Sequence, residues 1–203
     1  MNYYVVETDK HKLIQKTAGV KARQDVETIF KWNNLKKIEI PCLIEGRENK
    51  TRLGKIKAHY DVYKLWNNAL KKIKKNDWIY IQFPLLEHTM LFSLLIKKLE
   101  KRGIHTSIII HDVEAIRFTL RNDVPLSRKI RMRFEEISSF KNCSKIVVHN
   151  EKMKSFMHEK WKIHKDKMDI LEIFDYLVEN YNEELLEKRN LSRKGPVIIA
   201  GAL

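Results

Sequence analysis

Two strand-like runs in this sequence each stop at a histidine followed by a short polar side chain. Residues 107–110 end at His111-Asp112, and residues 145–148 end at His149-Asn150. An imidazole exchanges protons near neutral pH, and a neighbouring carboxylate can fix its tautomer, so His111 with Asp112 has the makings of a general base. Polar groups at the carboxyl end of a buried strand are also where open α/β sheets hold their ligands. A third group is Thr17-Ala18-Gly19 followed by Lys21 and Arg23. Glycine lets the backbone come close to a ligand, and cations in the first turn of a helix oppose its dipole unless something negative binds there. Local structure offers a plainer account of each group. Asp112 and Asn150 are suited to capping the helices that follow them, and Lys21 and Arg23 are side chains that water usually solvates. The sequence has no GxGxxG or P-loop spacing.

The elements that must position these residues follow from hydrophobic periodicity. Strands are predicted at residues 3–7, 37–41, 78–83, 107–110, 145–148 and 168–173, each β-branched or aromatic and bounded by polar residues or proline. Between them the 3.6-residue period predicts helices at 20–33, 53–73, 86–102, 127–140 and 151–161. In the second helix Leu53, Ile56, Tyr60, Tyr63, Leu70 and Ile73 form the expected buried stripe; in the fourth it is Leu126, Ile130, Phe134 and Ile137. This alternation argues for an α/β fold, a Rossmann-like doubly wound and mostly parallel sheet with helices on both faces. Residues 182–190 read as a charged helical link and 196–200 as a further strand that runs into Gly201.

Composition narrows the function classes. With 203 residues, 43% of them hydrophobic, the chain can bury a core. Its 40 Lys and Arg against 26 Asp and Glu give +14, which favours an anionic partner. Nine of those cations lie between residues 50 and 75, opposed there by Asp61 alone. Cys42 and Cys143 have no metal-like spacing, so a disulfide framework or zinc site has no support. The longest apolar run, residues 90–96, is far below the roughly 20 residues that cross a bilayer. A cytoplasmic protein is expected, with peripheral contact to anionic lipid on the inner face of the membrane. The rival class is a non-enzymatic basic module that binds anionic membrane or nucleic acid, although no helix-turn-helix, zinc finger or other nucleic-acid motif stands out.

Taken in order, Thr17-Ala18-Gly19-Val20-Lys21-Ala22-Arg23-Gln24-Asp25-Val26, His111-Asp112-Val113-Glu114-Ala115-Ile116-Arg117, His149-Asn150-Glu151-Lys152-Met153, Ile173-Phe174-Asp175-Tyr176 and Ile198-Ile199-Ala200-Gly201-Ala202-Leu203 form a series. The series resembles the landmarks of bacterial sugar transferases of the galactofuranosyltransferase and glucosyltransferase 3 type. That resemblance implies a GT-B architecture, in which two Rossmann-like domains face a cleft. The N-terminal domain contacts the acceptor and the C-terminal one holds most of the nucleotide sugar. It implies transfer from a nucleotide-diphosphate sugar, a UDP-sugar by expectation, to a hydroxyl acceptor in cell-surface polysaccharide or glycoprotein synthesis. No metal or other cofactor is expected. His111 and Asp112 would be catalytic; Thr17, Gly19, Lys21, Arg23, Arg117, His149, Asn150, Tyr176 and Gly201 would contact substrate or nucleotide. The implied division is an acceptor-side domain over 1–176, a link over 177–195 and the first strand of a truncated nucleotide-sugar domain over 196–203. The chain departs from the family at Ala202, where asparagine is often found, and it stops as the donor-side domain would begin. An N-terminal portion incomplete for catalysis is therefore expected, partnered by a second copy or by a separate C-terminal domain.

Overall fold

β-Branched and aromatic runs spaced by amphipathic segments become six parallel strands with helical crossovers. A computed structural model describes residues 1–8, 18–43, 51–118, 123–172 and 177. The strands are β1 (Asn2–Thr8), β2 (Lys36–Pro41), β3 (Trp78–Phe83), β4 (His105–Ile110), β5 (Lys145–Val148) and β6 (Met168–Ile170). The helices are α1 (Ala18–Trp32), α2 (Arg52–Ala69), α3 (Phe92–Lys101), the short α4 (Glu114–Arg117), α5 (Leu126–Met132), α6 (Ser138–Asn142) and α7 (Glu151–Trp161). The sheet order is β2-β1-β3-β4-β5-β6, and every neighbouring pair is parallel. The chain leaves β1 for β2 on one side and returns to β3 on the other. The connections therefore diverge between the ends of β1 and β3, which opens a crevice there.

Opposite sheet faces carry different helices, as a doubly wound Rossmann-like fold requires. The Phe30 ring of α1 lies 5.3 Å from Tyr4 and 5.4 Å from Tyr80 on one face. Phe83, of opposite parity to Tyr80, meets Phe92 of α3 at 6.5 Å and Phe140 of α6 at 5.1 Å on the other. Trp66 of α2 extends this second layer by packing edge-on to Phe92 at 5.4 Å. The core runs through it with Ile79, Ile81, Ile108, Ile110, Ile146 and Val148, all buried.

Four expectations need correction. The helix expected at 86–102 starts only at Phe92; in the loop before it the N–H groups of Leu86 and Glu87 are bound by the Glu7 carboxylate. The helix expected at 127–140 is interrupted by a π-helical turn, Arg133–Ile137, which brings Glu135 and Glu136 into the interior. The buried stripes also differ. α2 buries Ala58, Val62 and Trp66, and Leu70 and Ile73 just past its end are buried as expected, while Leu53, Ile56 and Tyr60 face water. Leu126, Ile130 and Phe134 are exposed as well, since the wider π turn changes register between α5 and α6. β6 is assigned over Met168–Ile170, and Leu171 and Glu172 lie past its end; residue 173, the link at 182–190 and the strand at 196–200 lie outside the described residues. No described helix is long and apolar enough to cross a membrane.

Candidate functional site

The two histidine-ended strands are neighbours. Ile109 of β4 pairs with Val147 of β5, and two residues further on the same register sets His111 beside His149. The His111 N–H donates to the Phe83 carbonyl at 2.7 Å, so its backbone extends the β3–β4 ladder by one bond. Its ring Nε2 lies 2.8 Å from Gln82 Oε1. The Gln82 amide nitrogen points to the Arg23 carbonyl at 3.4 Å, which leaves its oxygen to accept from His111. The imidazole proton is thus assigned to Nε2 and the lone pair to Nδ1. Burial first, then the positive charges of Arg23 and His149, push the His111 imidazole down to about 4. At neutral pH it is an uncharged ring. His149 Nε2 donates to the Ile110 carbonyl at 2.6 Å and so ties the end of β5 to the end of β4.

Arg23 stands at the centre of the crevice. From α1 its guanidinium donates to the Pro84 carbonyl, and it borders two adjoining hollows of about 420 and 440 Å³. The first lies between the ends of β1 and β2 and helix α1, lined by Glu7, Glu27 and Lys37 among others. The second lies between Gly19, the loop after β3, and His111 and Asp112. Val20, Arg23 and Leu86 wall both. A side-chain carbon built at Gly19 would meet no atom within 4 Å, so this backbone faces open space at the mouth of the second hollow. Glu7, at the end of β1, accepts from Leu86 N at 2.8 Å and Glu87 N at 3.2 Å. Burial raises its carboxyl to about 7, against those hydrogen bonds and the charges of Arg23 and His88.

The other sequence-selected residues divide. Asp112 accepts from Val113 N at 2.8 Å and from Arg117, so it braces the entry to α4. The partner that orients His111 is Gln82, not Asp112 as the sequence reading supposed. Arg117 is exposed and spent on this pair. Lys21 Nζ is paired to the buried Asp25 at 2.7 Å, which draws it along α1 and away from the crevice lining. Asn150 caps α7, its Oδ1 accepting from Met153 N at 2.9 Å. Thr17, Tyr176 and Gly201 lie outside the described residues.

Sequence reasoning passed over a buried carboxylate group beside the second hollow. The π turn sets Glu135 against His88, Nδ1 to Oε1 2.6 Å, and Arg131 binds both Glu114 and Glu135. Against the upward pull of its own burial, the hydrogen bonds and charges of Arg128 and Arg131 hold the Glu114 carboxyl below its usual value. Glu136 Oε2 accepts from Ala115 N at 2.8 Å and so fixes the first turn of α4. Burial raises its carboxyl to about 7; the Ala115 N–H opposes this, and Glu114 and Glu135 add to it. A native pKa above the unfolded one means that the folded state keeps its proton longer, so stability falls as pH rises from the ordinary 4.5 to about 7. Glu136→Gln lacks that titration while keeping an oxygen for Ala115. Denaturant titration is expected to find it as stable as the native chain in acid and up to about 3 kcal/mol more stable above neutrality. A native-like fall in its stability across this window would assign the pH dependence elsewhere.

Gln82 was legible as the one amide in an otherwise apolar and aromatic strand, Trp-Ile-Tyr-Ile-Gln-Phe. Glu135 and Glu136 had no such signal, because in a regular helix they read as a solvated face. Among the described residues no three His, Cys, Asp or Glu gather as a metal site would require. Residues 2–173 match the family of glucosyltransferase 3-like N-terminal domains, a span that takes in all six strands. No curated protein matches the chain.

Proposed function

The chain belongs to the family of glucosyltransferase 3-like N-terminal domains, and from that membership we propose that it is the acceptor-side half of a GT-B glycosyltransferase. In this reading the protein moves a sugar from a nucleoside-diphosphate donor, a UDP-sugar, to a hydroxyl of a cell-surface polysaccharide or glycoprotein, and a second domain supplies most of the donor pocket. The observation that carries the reading is the neutral His111, held through Nε2 by Gln82 in a crevice whose central cation is Arg23. The acceptor hydroxyl gives its proton to His111 Nδ1 as its oxygen bonds to the anomeric carbon. The bond from that carbon to the β-phosphate oxygen breaks, and the diphosphate leaves with the electron pair. Arg23, placed between the two hollows, offsets the charge that develops there.

Release of nucleoside diphosphate from UDP-sugars by the native protein, with and without sugar acceptors, tests this reading. Arg23→Met is expected to lower kcat/KM for the donor by about 10- to 100-fold, the worth of one charge-assisted hydrogen bond. Acceptor-independent release, or a variant indistinguishable from the native protein while equally folded, would contradict it.

A further inference from the structure

The helical layer opposite α1 shows water two apolar stripes edged by cations. On α2, Leu53, Ile56 and Tyr60 are 79%, 65% and 54% exposed; on α5 and the π turn, Leu126, Ile130 and Phe134 are 72%, 40% and 49% exposed. Spacings of three and four residues align each set along its helix. The two stripes share one side of the molecule. Helix α3 lies between α2 and the π turn; its Lys98 donates to Asn67 of α2 at 2.8 Å, and its Leu94 is itself exposed. Lys57 and Lys64 border the first stripe and Lys129 and Arg133 the second, all exposed.

We propose that this face docks on an anionic membrane surface. Scattered exposed leucines need no explanation, but aligned apolar side chains bordered by lysine and arginine are what an interfacial helix presents to lipid. The apolar groups enter the acyl boundary while the cations meet the headgroups, and the chain's net charge of +14 draws it there. Nucleic acid would engage the cations and leave Leu126, Ile130 and Phe134 without an apolar partner. A second copy stacked on this face would set Lys129 and Arg133 against their own counterparts. α2 lies between the parallel strands β2 and β3, and α5 between β4 and β5, so both helices run back from the carboxyl edge of the sheet, the edge on which the crevice opens. The docking does not depend on the transfer chemistry.

Vesicle flotation with phosphatidylcholine, alone or mixed with phosphatidylglycerol, tests the proposal on the whole chain. Binding is expected to the mixed vesicles only. Leu126→Glu with Phe134→Glu should weaken it about tenfold or more, and Lys129→Gln with Arg133→Gln about 30-fold, with thermal unfolding unchanged because all four side chains are exposed. Ile56→Glu with Tyr60→Glu repeats the test on α2, so that misfolding of one variant does not decide the outcome. Equal binding to neutral vesicles, or native binding by the glutamate variants, would overturn the proposal. So would a dimer that Phe134→Glu dissociates in a chain that ignores vesicles, which would give the face to a second copy. Duplex DNA binding without vesicle binding would give it to nucleic acid.

Discussion

Replacing His111 by alanine is expected to slow sugar transfer by about 10²- to 10⁴-fold, the range that a positioned general base contributes. Three features lead to this expectation. The ring is anchored through Nε2 on Gln82 and through its backbone on Phe83, so Nδ1 has one direction and carries the lone pair. The ring is uncharged at neutral pH, its value being about 4, so it does not have to lose a proton before accepting one. Its weakness as a base is conditional, because after burial the largest cause is the charge of Arg23. A diphosphate beside Arg23 offsets that charge and makes the imidazole more basic as the donor enters. The pH profile of kcat/KM for acceptor at saturating donor should therefore break at a higher pH than the imidazole titration seen by NMR in the free chain. Normal turnover in His111→Ala, or coincident breaks in the two titrations, would remove the base role.

How much of this was legible in the sequence depends on the kind of signal. The strands were legible because runs such as Trp78–Phe83 and Lys145–Val148 are short, apolar and sharply bounded, and these two match their observed limits. The adjacency of His111 and His149 was not legible, since it needs the β4–β5 pairing that no local pattern encodes. The stripes on α2 and α5 were misassigned in part, Leu70 and Ile73 being buried as expected, for a related reason. α2 carries two apolar lines, Leu53-Ile56-Tyr60 and Ala58-Val62-Trp66-Leu70, and periodicity identifies a helix without saying which line meets the sheet. The site residues mix both cases. His111 was marked by its place at a strand end, whereas the clamp from Glu7 to the loop after β3 joins residues 79 and 80 positions apart, beyond the reach of any local signal. Lys21 and Asn150 show the opposite outcome: the plain readings of ion pair and cap account for both geometries.

Phe83→Ala is expected to lower the free energy of unfolding by about 3–5 kcal/mol, a large part of the roughly 5–15 kcal/mol that holds a domain of ordinary stability. The ring is fully buried at the junction of β3, α3 and α6, edge-on to Phe140 and stacked on Phe92. Its loss leaves a cavity between three elements, none of which can move far without breaking the sheet or the π turn. The same residue ties the core to the crevice. Gln82 holds the His111 ring, the Phe83 carbonyl holds the His111 backbone, and the Pro84 carbonyl holds Arg23, so three consecutive residues position the proposed base and its neighbouring cation. Leu99→Ala on α3 provides the comparison: it is buried to the same extent but sits at the helix end that precedes β4, away from the crevice. Both variants should lose stability in denaturant titrations, by about 2–5 kcal/mol for the leucine. Only Phe83→Ala should also move the His111 ring nitrogen resonances under conditions where both chains remain folded. Equal stability loss with the His111 signals undisturbed would mean that the strand end is held by the ladder and the loop clamp alone, and that the core beneath it sets stability without setting the site.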